Sequence, residues 1–424
     1  MAIFAIPRTG LILRMLTLCG VVGLMLAGCG GVSGGGGSAF KGGPGVDLAK
    51  KTIDLGVLSP LSGPVGQLIG IPLTQGVEVY FKDINAHGGI DGFKINLVEK
   101  DSKYDVPTQV QVYQEIHNQV LMLAESLGTP TTHAILDQIN ADRMLTSAAT
   151  LDSDLARQPY VVLVGTPYRL QVENAFDYVV NKLGVTSPKT AIIYQNDNYG
   201  QDGLTGYQES ITAYHLDDVG QVPFTLGATD VTAQAAQLKA SGAKYVFVTA
   251  TPTDAATIVG TAAALGYTPQ WIFQSPAWHP ILLTTKVAPV LEHFVWVVGQ
   301  GASWGDTSKP GMAQMLTDIQ MYQPNEQPNG FFEFGYTESI ITAAILKKAA
   351  DNHDLSRAGL LNAFNSLGTV DLHGLYPTAS YGSQPNQRVP TRDNSIFAID
   401  PTKPGAVKDI SGDFVGTAAM ASKF

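Results

Sequence analysis

One segment of the sequence has the spacing of a serine nucleophile. Residues 301–305, Gly-Ala-Ser-Trp-Gly, fit the G-x-S-x-G pattern. The nucleophile elbow of hydrolases needs a strand, a sharp turn and a helix, followed by separate Asp and His partners. Here the motif does not lead directly into a helix, and the downstream candidates are i, i+2 pairs, Asp351 with His353 and Asp371 with His373. A secreted serine hydrolase is therefore an alternative that this spacing disfavours.

A run of hydroxyls at Thr129, Thr131 and Thr132 suggests a different chemistry, the binding of an anion. The run follows a predicted strand at 120–124 and opens a predicted helix at 130–141. Backbone amides at the start of a helix favour negative charge. N-capping by Thr129 or Thr131 is the simpler structural role of the same residues. From the residues alone, both roles stay open.

Metal, cofactor and thiol chemistry lack the residues that they need. The eight His are scattered without metal-ligand spacing, and neither a G-x-G-x-x-G nor a P-loop motif follows a strand. The two Cys, Cys19 and Cys29, fall in and directly after an N-terminal apolar segment. We expect no metal site, no cofactor and no disulfide in the mature protein.

The composition predicts a folded protein that works on a small molecule. Of the 424 residues, 45% are hydrophobic and 15% are charged, and the net charge is −10. This hydrophobic content excludes global disorder. The acidic balance gives no electrostatic footprint for nucleic acid. Beyond the N-terminus no run of 18 or more apolar residues predicts a membrane span.

The N-terminus predicts export and lipid attachment. Arg8 and Arg14 precede 14 uncharged residues, a length that suits a secretory signal and is short for a membrane span. This segment ends in Leu-Ala-Gly, and Cys29 follows it directly; the sequence Leu-Ala-Gly-Cys resembles the bacterial lipobox, whose Cys is lipidated. We expect residues 1–28 to be a lipoprotein signal peptide, and residues 29–50 to be the lipidated Cys and a Gly-rich tether.

From residue 52 onward, strand patterns alternate with helical patterns, which predicts an α/β fold with doubly wound parallel sheets. The predicted strands are 52–61, 93–98, 120–124, 143–149, 190–194, 245–249, 271–273, 294–298 and 395–399. Three helical patterns, at 312–322, 334–349 and 357–367, follow one another without strands between them. These helices must pack on a sheet that is already formed.

Several motifs, in order along the chain, resemble those of type I solute-binding proteins, the Leu/Ile/Val-binding protein family of ABC importers. The matching segments are residues 53–64, 83–92, Asp101 with Asp105, 196–200 and 229–230. The resemblance covers about residues 52–300. It implies two Rossmann-like lobes joined by a three-strand hinge, with the ligand in the cleft between them. The implied ranges are 52–166 plus 299–370 for the N-terminal lobe and 167–298 plus 371–424 for the C-terminal lobe.

The resemblance also implies which residues contact the ligand. In this family the loop after the third strand, and a later Ala-Ala-Thr or Ser-Ala-Thr segment, hold a ligand carboxylate. Those positions are Thr129, Thr131, Thr132, Ala148 and Thr150 in this chain. Tyr199 matches the family's pocket tyrosine. The remaining expected contacts are Ser62, Gln67, Thr251, Ser275 and Trp278.

The set that would recognise a ligand ammonium is incomplete. Amino-acid binders of this family place a Glu after a later strand of the second lobe, where this chain has Gln274-Ser275-Pro276. A buried ammonium without a counter-ion would be costly. A carboxylate or a less polar solute therefore fits better than an ordinary α-amino acid, with Trp278 and Trp304 as apolar walls.

The expected function is that of an extracytoplasmic substrate-binding lipoprotein of an ABC importer, and not of an enzyme. It would capture a small molecule, branched-chain amino acid-like or another carboxylate or less polar solute, and deliver it to the permease subunits. We expect a monomer, anchored by lipid at the outer face of the cytoplasmic membrane or facing a membrane from the periplasm. A receptor module of the same fold, which senses a ligand without transport, is the alternative.

Overall fold

Two large sheets organise the chain, and the computed structural model of the protein describes residues 40–423. The predicted signal peptide and Cys29 lie outside the described residues. Successive residues of a strand contribute to different cores: Ile192 packs on one side of the second sheet and Ile193 on the other. Each sheet is thus buried on both faces, as expected for doubly wound parallel sheets. The predicted α/β fold with two such sheets is confirmed.

The first sheet is parallel except for its short first strand. From one edge to the other its strands are Val46–Asp47, Thr52–Ser59, Leu123–Leu127, Thr146–Ala149 and Val161–Val162, and Lys94–Asp101 also pairs with Thr52–Ser59. The second sheet has five parallel strands and two antiparallel ones at one edge. Its order is Val407–Asp409, Ser395–Ile399, Val295–Gly299, Gln270–Phe273, Tyr245–Thr249, Lys189–Gln195 and Asp217–Phe224. We call the layers around these sheets the first and second lobes.

Helices cover both sheets and supply the remaining layers. The α-helices of the described residues are Gly63–Val65, Ile71–Ala86, Val106–Ile116, Thr129–Ala134, Leu136–Asp142, Tyr168–Asp177, Asn198–Tyr214, Thr232–Ser241, Pro252–Ala264, Ala288–Phe294, Pro310–Tyr322, Gly330–Asp351, Arg357–Asn365 and Thr417–Ala421. None of these helices has the length and apolar character that crossing a membrane requires. π-Helical turns occur at Gly66–Gly70 and Tyr178–Lys182, and short 3₁₀ helices at Leu155–Arg157, Ser275–Ala277, Pro280–Thr284 and Pro385–Gln387.

The later helices return to the first lobe. Ile341, Ile345 and Leu346 of the long helix Gly330–Asp351 lie in the same core as Ile53 and Leu55 of the first sheet. The segment after these helices also belongs there, because the two short strands Gly368–Val370 and Ala379–Tyr381 pair with each other and contribute buried side chains to that core. On packing, we propose that the return to the second lobe falls after residue 381 rather than at residue 371.

The expectation that an unstructured tether extends to residue 50 is wrong. Lys41–Gly42 pairs in parallel with Asp354–Leu355, and Phe40 packs on the ring of His353 with centroids 4.6 Å apart. Gly45 has a φ of 76°, and a Cβ there would lie 2.7 Å from the Leu121 nitrogen. This glycine therefore permits close packing rather than flexibility, and the folded part begins by Phe40.

Three connections between the lobes run side by side and form the hinge that was expected. The Gln300 side chain accepts a hydrogen bond from the Thr166 amide at 2.8 Å, and the Thr166 hydroxyl donates to the Asp393 carbonyl at 2.6 Å. Asn394 donates to the Gly299 carbonyl at 3.0 Å. The three connections are thus hydrogen-bonded to one another. Bending at these connections would let the two lobes close on each other, as in other hinged proteins.

Candidate functional site

A cavity lies where the carboxyl ends of the parallel strands of both sheets face each other. Its empty space is about 1310 Å³, including the part that opens to solvent. Thr129, Tyr199, Thr251 and Ser275 line it, and each follows the end of a parallel strand. Open α/β sheets bind ligands at this edge of their strands, so the cavity is the candidate ligand site.

Thr129 and Thr150, both expected as ligand contacts, occupy different positions relative to the cavity. Thr129 lines it, whereas Thr150 lies outside the lining, and the two Oγ1 atoms are 2.6 Å apart. These hydroxyls are thus bonded to one another, although each retains capacity for a further hydrogen bond.

The next two threonines of the predicted site are turned toward backbone. Thr131 Oγ1 donates to the carbonyl oxygens of Leu127 and Gly128, at 2.6 and 3.0 Å. Thr132 Oγ1 donates to the Ser126 carbonyl at 3.1 Å. Both side chains are fully buried and lie outside the cavity lining. Their hydroxyls stabilise the loop that presents Thr129.

Three other predicted contacts also lie outside the lining. Ser62 is exposed and donates to Asp101 Oδ2 at 2.6 Å, and Gln67 is exposed. Ala148 is buried, and its neighbour Ala149 lines the cavity instead. Ser62, Gln67 and Ala148 therefore make no wall of the cavity in this conformation.

The second lobe contributes hydroxyls that already have partners. The Tyr199 ring packs edge-on against Tyr168 with centroids 4.8 Å apart, and its hydroxyl lies 3.4 Å from the Ala250 carbonyl oxygen. Burial raises the pKa of Tyr199 well above its usual range, so its hydroxyl stays neutral. Thr251 donates to Asp254 Oδ2 at 2.8 Å. This side of the cavity thus has few polar groups to offer a ligand.

Tyr104 is a lining residue that the sequence did not reveal. It and Lys103 have φ angles of 56° and 55°, a left-handed conformation that is uncommon outside glycine and costs energy. A Cβ on Gly128 would lie 2.6 Å from Tyr104 Cε2, so the ring needs glycine at that position. The flanking Asp101 and Asp105 hold this turn by accepting amide hydrogen bonds from Lys103 and Thr108, each at 2.9 Å. The acidic motif thus positions an aromatic side chain in the cavity.

Aromatic and aliphatic side chains form most of the remaining wall. Trp278 and Trp304, proposed from the sequence as apolar walls, both line the cavity. The other apolar lining side chains of more than three carbons are Ile69, Leu73, Leu127, Leu151, Phe331, Phe334 and Phe397. The Trp278 indole Nε1 is buried and has no hydrogen-bond partner among the described residues.

Glu333 places a carboxyl in this apolar wall. The side chain lines the cavity and is 5% exposed, and its Oε1 has no hydrogen-bond partner within residues 40–423. Burial holds the pKa of Glu333 well above its usual range. Sequence analysis missed it because the helical pattern was expected to begin at 334. Asn329, whose side chain caps the helix by accepting from the Phe331 amide at 2.9 Å, was the signal of the earlier start.

The serine of the G-x-S-x-G segment also lies in the lining, but the candidate histidines do not. His353 contacts the Phe40 ring, and His373 pairs with Asp371 at 3.5 Å. Among the described residues no group of three or more His, Cys, Asp and Glu side chains could hold a metal ion. The segment therefore serves as cavity wall, with Ala302 and Trp304 beside Ser303.

The two lobes contact each other at several points. Asp202 of the second lobe accepts hydrogen bonds from the amide and the hydroxyl of Ser153, both at 3.0 Å. The His279 ring stacks on Phe331 with centroids 6.2 Å apart. Burial raises the pKa of Tyr104, and a hydrogen bond with Gln195 of the second lobe opposes that rise. The described conformation is thus a closed one.

Comparison with known proteins places this geometry among solute receptors. The family profile described as "Periplasmic binding protein" matches residues 52–404. The Leu/Ile/Val-binding protein of Citrobacter freundii is 28% identical over 228 residues, or 52% of this chain and 61% of that protein. Leu/Ile/Val-binding protein homolog 7 of Brucella abortus is 27% identical over 248 residues, or 53% of this chain and 58% of that protein. The chain thus aligns with about three fifths of the length of these curated relatives.

Two solved structures superpose over most of their length. The fatty acid ABC transporter substrate-binding protein from Thermomonospora curvata is 27% identical, with a TM-score of 0.84 that covers 91% of this chain and 97% of that one. A branched-chain amino acid ABC transporter structure from Thermus thermophilus, with bound valine, has a TM-score of 0.76 at 17% identity and covers 88% of this chain and 98% of that one. The second likeness is one of fold alone.

Proposed function

The chain belongs to the periplasmic binding protein family, and from this premise we propose that it is the substrate-binding component of an ABC importer for an aliphatic carboxylate. The family implies an extracytoplasmic protein that binds a solute. The apolar lining of the cavity carries the proposal. Aromatic and aliphatic side chains from both lobes form most of its wall, and ligand sites of this kind bury apolar parts of a ligand while a few polar groups fix its orientation.

The charge of the cavity supports a ligand with little polarity. The lining residues within 40–423 include no Lys, Arg or His, and Glu333 is their one acid. The loop that follows Gln270–Phe273 carries Ser275 and Pro276 and gives no counter-ion for an α-ammonium. The likeness to the fatty acid transporter protein, at 27% identity over 97% of its length, points in the same direction.

Binding would close the lobes and so signal occupancy to the permease. Closure buries the ligand against apolar walls, which contributes about 25 cal/mol for each Å² of apolar surface removed from water. The contacts between Ser153 and Asp202 add polar bonds that exist only when the lobes meet. A permease that accepts only the closed form would then transport only bound solute.

A thermal-shift screen tests the ligand class. Straight-chain monocarboxylates of six to sixteen carbons, with leucine, isoleucine and valine in parallel, would be added to the purified protein. Ligand at 100 times its dissociation constant adds about 2.7 kcal/mol of stability. We expect the longer carboxylates to raise the melting temperature and the amino acids to leave it unchanged. Stabilisation by the amino acids alone would overturn the ligand class.

We also infer that Cys29 carries a lipid that holds the exported chain at a membrane. The apolar segment and the Leu-Ala-Gly-Cys sequence support this. The Cys29→Ser variant should leave the membrane fraction, and the mass of the N-terminal peptide should lose its acyl chains. Membrane retention of this variant through another segment would contradict the inference.

A further inference from the structure

The Glu333 carboxyl is one of two lining groups, with the Trp278 indole, whose buried polar atom has no hydrogen-bond partner within residues 40–423. Its Oε1 is buried without a hydrogen-bond partner among the described residues, and the side chain is 5% exposed. A buried polar group that is left unpaired costs about 1–3 kcal/mol. Phe331 and Phe334, its neighbours in the helix, also line the cavity and could not pair with it. A polar group of a ligand in the cavity would supply the hydrogen-bond partner that Glu333 lacks.

Hydrogen bonds fix the backbone around Glu333 and so determine the direction in which its side chain leaves the helix. Asn329 caps the helix at the Phe331 amide, and the Glu333 amide donates to the Asn329 carbonyl at 3.2 Å. The Thr337 hydroxyl donates to the Glu333 carbonyl oxygen at 2.7 Å. The helix therefore begins before Glu333, and the side chain leaves its first turn toward the cavity.

The titratable groups around Glu333 supply no positive charge. Tyr376 also lines the cavity. Burial is the main reason that the pKa of Tyr376 is raised, and the nearby Glu333 carboxyl raises it further. Glu338 lies on the same helix, Tyr168 is also near Tyr376, and His279 stacks on Phe331. Burial lowers the pKa of His279 to about 4, so this ring is neutral at pH 7. Burial raises the pKa of Glu333 well above its usual range, which favours the protonated carboxyl over the carboxylate.

A neutral carboxyl is a hydrogen-bond donor that matches an anion. We propose that Glu333 recognises the head group of an aliphatic monocarboxylate directly, through an acid–carboxylate hydrogen bond in which the two groups share one proton. The proton already on Glu333 is donated to a ligand carboxylate oxygen, the pair carries one negative charge, and no proton is gained or lost at neutral pH. An ammonium ligand would instead require Glu333 to release its proton first. This inference rests on the proposed function and names the contact that selects its ligand.

Because ligand binding is coupled to protonation of Glu333, the proposal predicts how affinity changes with pH. Binding needs the protonated carboxyl, so affinity stays constant while Glu333 is protonated and falls about tenfold per pH unit once the pH exceeds its pKa. Burial raises the pKa values of Tyr168 and Tyr376, so these hydroxyls stay neutral over the same range. A carboxylate held only by hydroxyls and amides would show no such fall.

Calorimetry with dodecanoate and dodecylamine, between pH 6 and pH 10, tests the proposal in four proteins. Wild type should bind dodecanoate and lose affinity as the pH rises. Glu333→Gln keeps a donor, so it should bind within about threefold of wild type at pH 7 without the loss at high pH. Glu333→Leu should bind about tenfold to a hundredfold more weakly. Glu338→Gln, a buried carboxyl of the same helix outside the lining, should behave like wild type.

The outcomes separate this inference from the proposed function. If Glu333→Leu binds dodecanoate as wild type does, the role of Glu333 is overturned while the ligand class stands. If wild type binds dodecylamine and Glu333→Gln does not, Glu333 is a counter-ion for a cation and the proposal fails. If wild type binds no dodecanoate, the proposed ligand class fails and this inference fails with it. The melting temperature of each ligand-free variant shows whether it is folded.

Discussion

Thr129 and Glu333 both line the cavity from the first lobe, and they differ in whether the protein itself satisfies their hydrogen bonds. The Thr129 and Thr150 hydroxyls lie 2.6 Å apart and bond to each other. Glu333, in the same wall, has a buried oxygen without a partner among the described residues. A satisfied pair can add a hydrogen bond to a ligand at little cost, whereas an unsatisfied carboxyl is stabilised only when a ligand arrives. We therefore propose that the unsatisfied group determines which ligand is selected.

The second lobe strengthens this contrast. Two of its lining hydroxyls have protein partners, Thr251 with Asp254 and Tyr199 near the Ala250 carbonyl. Trp278 from the same lobe adds a large apolar surface. On our proposal, the first lobe recognises the ligand head group and the second lobe covers its apolar part.

The largest effect should come from pH, because the first lobe buries carboxyls without cations. Burial raises the pKa of Glu125 to about 8 and that of Glu333 well above its usual value of 4.5. Each of these groups holds a proton in the folded state that the unfolded chain releases above pH 4.5, so its contribution to stability is complete below about pH 4.5 and is lost as the pH rises toward the folded-state pKa. The slope is about 1.4 kcal/mol per pH unit for each such group.

Denaturant unfolding of the ligand-free protein at pH 5 and pH 8 measures this slope. Carboxyls with lowered pKa values, such as Asp47 and Asp105, are ionised in both the folded and the unfolded state above pH 5, so they do not change this slope. Glu333→Gln and Glu125→Gln should each flatten the slope. Equal stability at the two pH values would show that these carboxyls are ionised in the folded state.

The next effect concerns the stability of the ligand-free protein, and it should differ in sign between the two positions. Glu333→Leu removes an unsatisfied buried group, so the free energy of unfolding should rise by about 1–3 kcal/mol at pH 7. Thr129→Val leaves Thr150 without its partner, so the free energy of unfolding should fall by about 1 kcal/mol. Unfolding in urea compares the two variants. A loss of stability in Glu333→Leu would mean that the carboxyl has a protein partner.

A smaller effect should appear in binding by the threonines of the loop. Thr129→Val removes a hydroxyl from the cavity, and we expect dodecanoate to bind about three- to tenfold more weakly. Thr131→Val is the matched control, since its hydroxyl bonds to the Leu127 and Gly128 carbonyls and lies outside the lining. Calorimetry should find its affinity unchanged and its stability lowered. Equal losses of affinity in both variants would mean that the loop, and not the hydroxyl, determines binding.

The smallest effect should come from the contact between the lobes. Ser153→Ala removes the hydroxyl bond to Asp202 but keeps the amide bond. Closure should lose about 0.5–1.5 kcal/mol, the net contribution of one hydrogen bond, and affinity should fall a few-fold. Small-angle scattering with dodecanoate would show whether the closed population falls. An unchanged affinity would place the closing energy in the apolar walls alone.

The strands of the second sheet were the most readable part of the sequence. The prediction at 245–249 matches the strand Tyr245–Thr249, and that at 395–399 matches Ser395–Ile399, because both are apolar runs. The edge strand Asp217–Phe224 was missed, since it pairs on one side only and contains Gly220 and Pro223. Edge strands need no continuous apolar pattern, so periodicity gives no signal there.

Buried carboxyls are the residues in and near the site that could not be predicted from the sequence. The strand predicted at 120–124 is Leu123–Leu127, because Glu125 and Ser126 are fully buried within it and interrupt the apolar run. Glu333 was missed because the predicted helix began at 334, whereas the helix begins at Gly330 and buries this carboxyl in its first turn. Thr129 was found because hydroxyls after a strand have a recognisable place in the fold. Only tertiary packing reveals that a charged residue type lies inside.

Calorimetric titration of the purified protein at pH 7, with dodecanoate and with leucine, tests the central claim most directly. The account predicts one dodecanoate bound per chain, with a negative heat-capacity change from burial of apolar surface, and no heat from leucine. Tight binding of leucine, with none of dodecanoate, would contradict it.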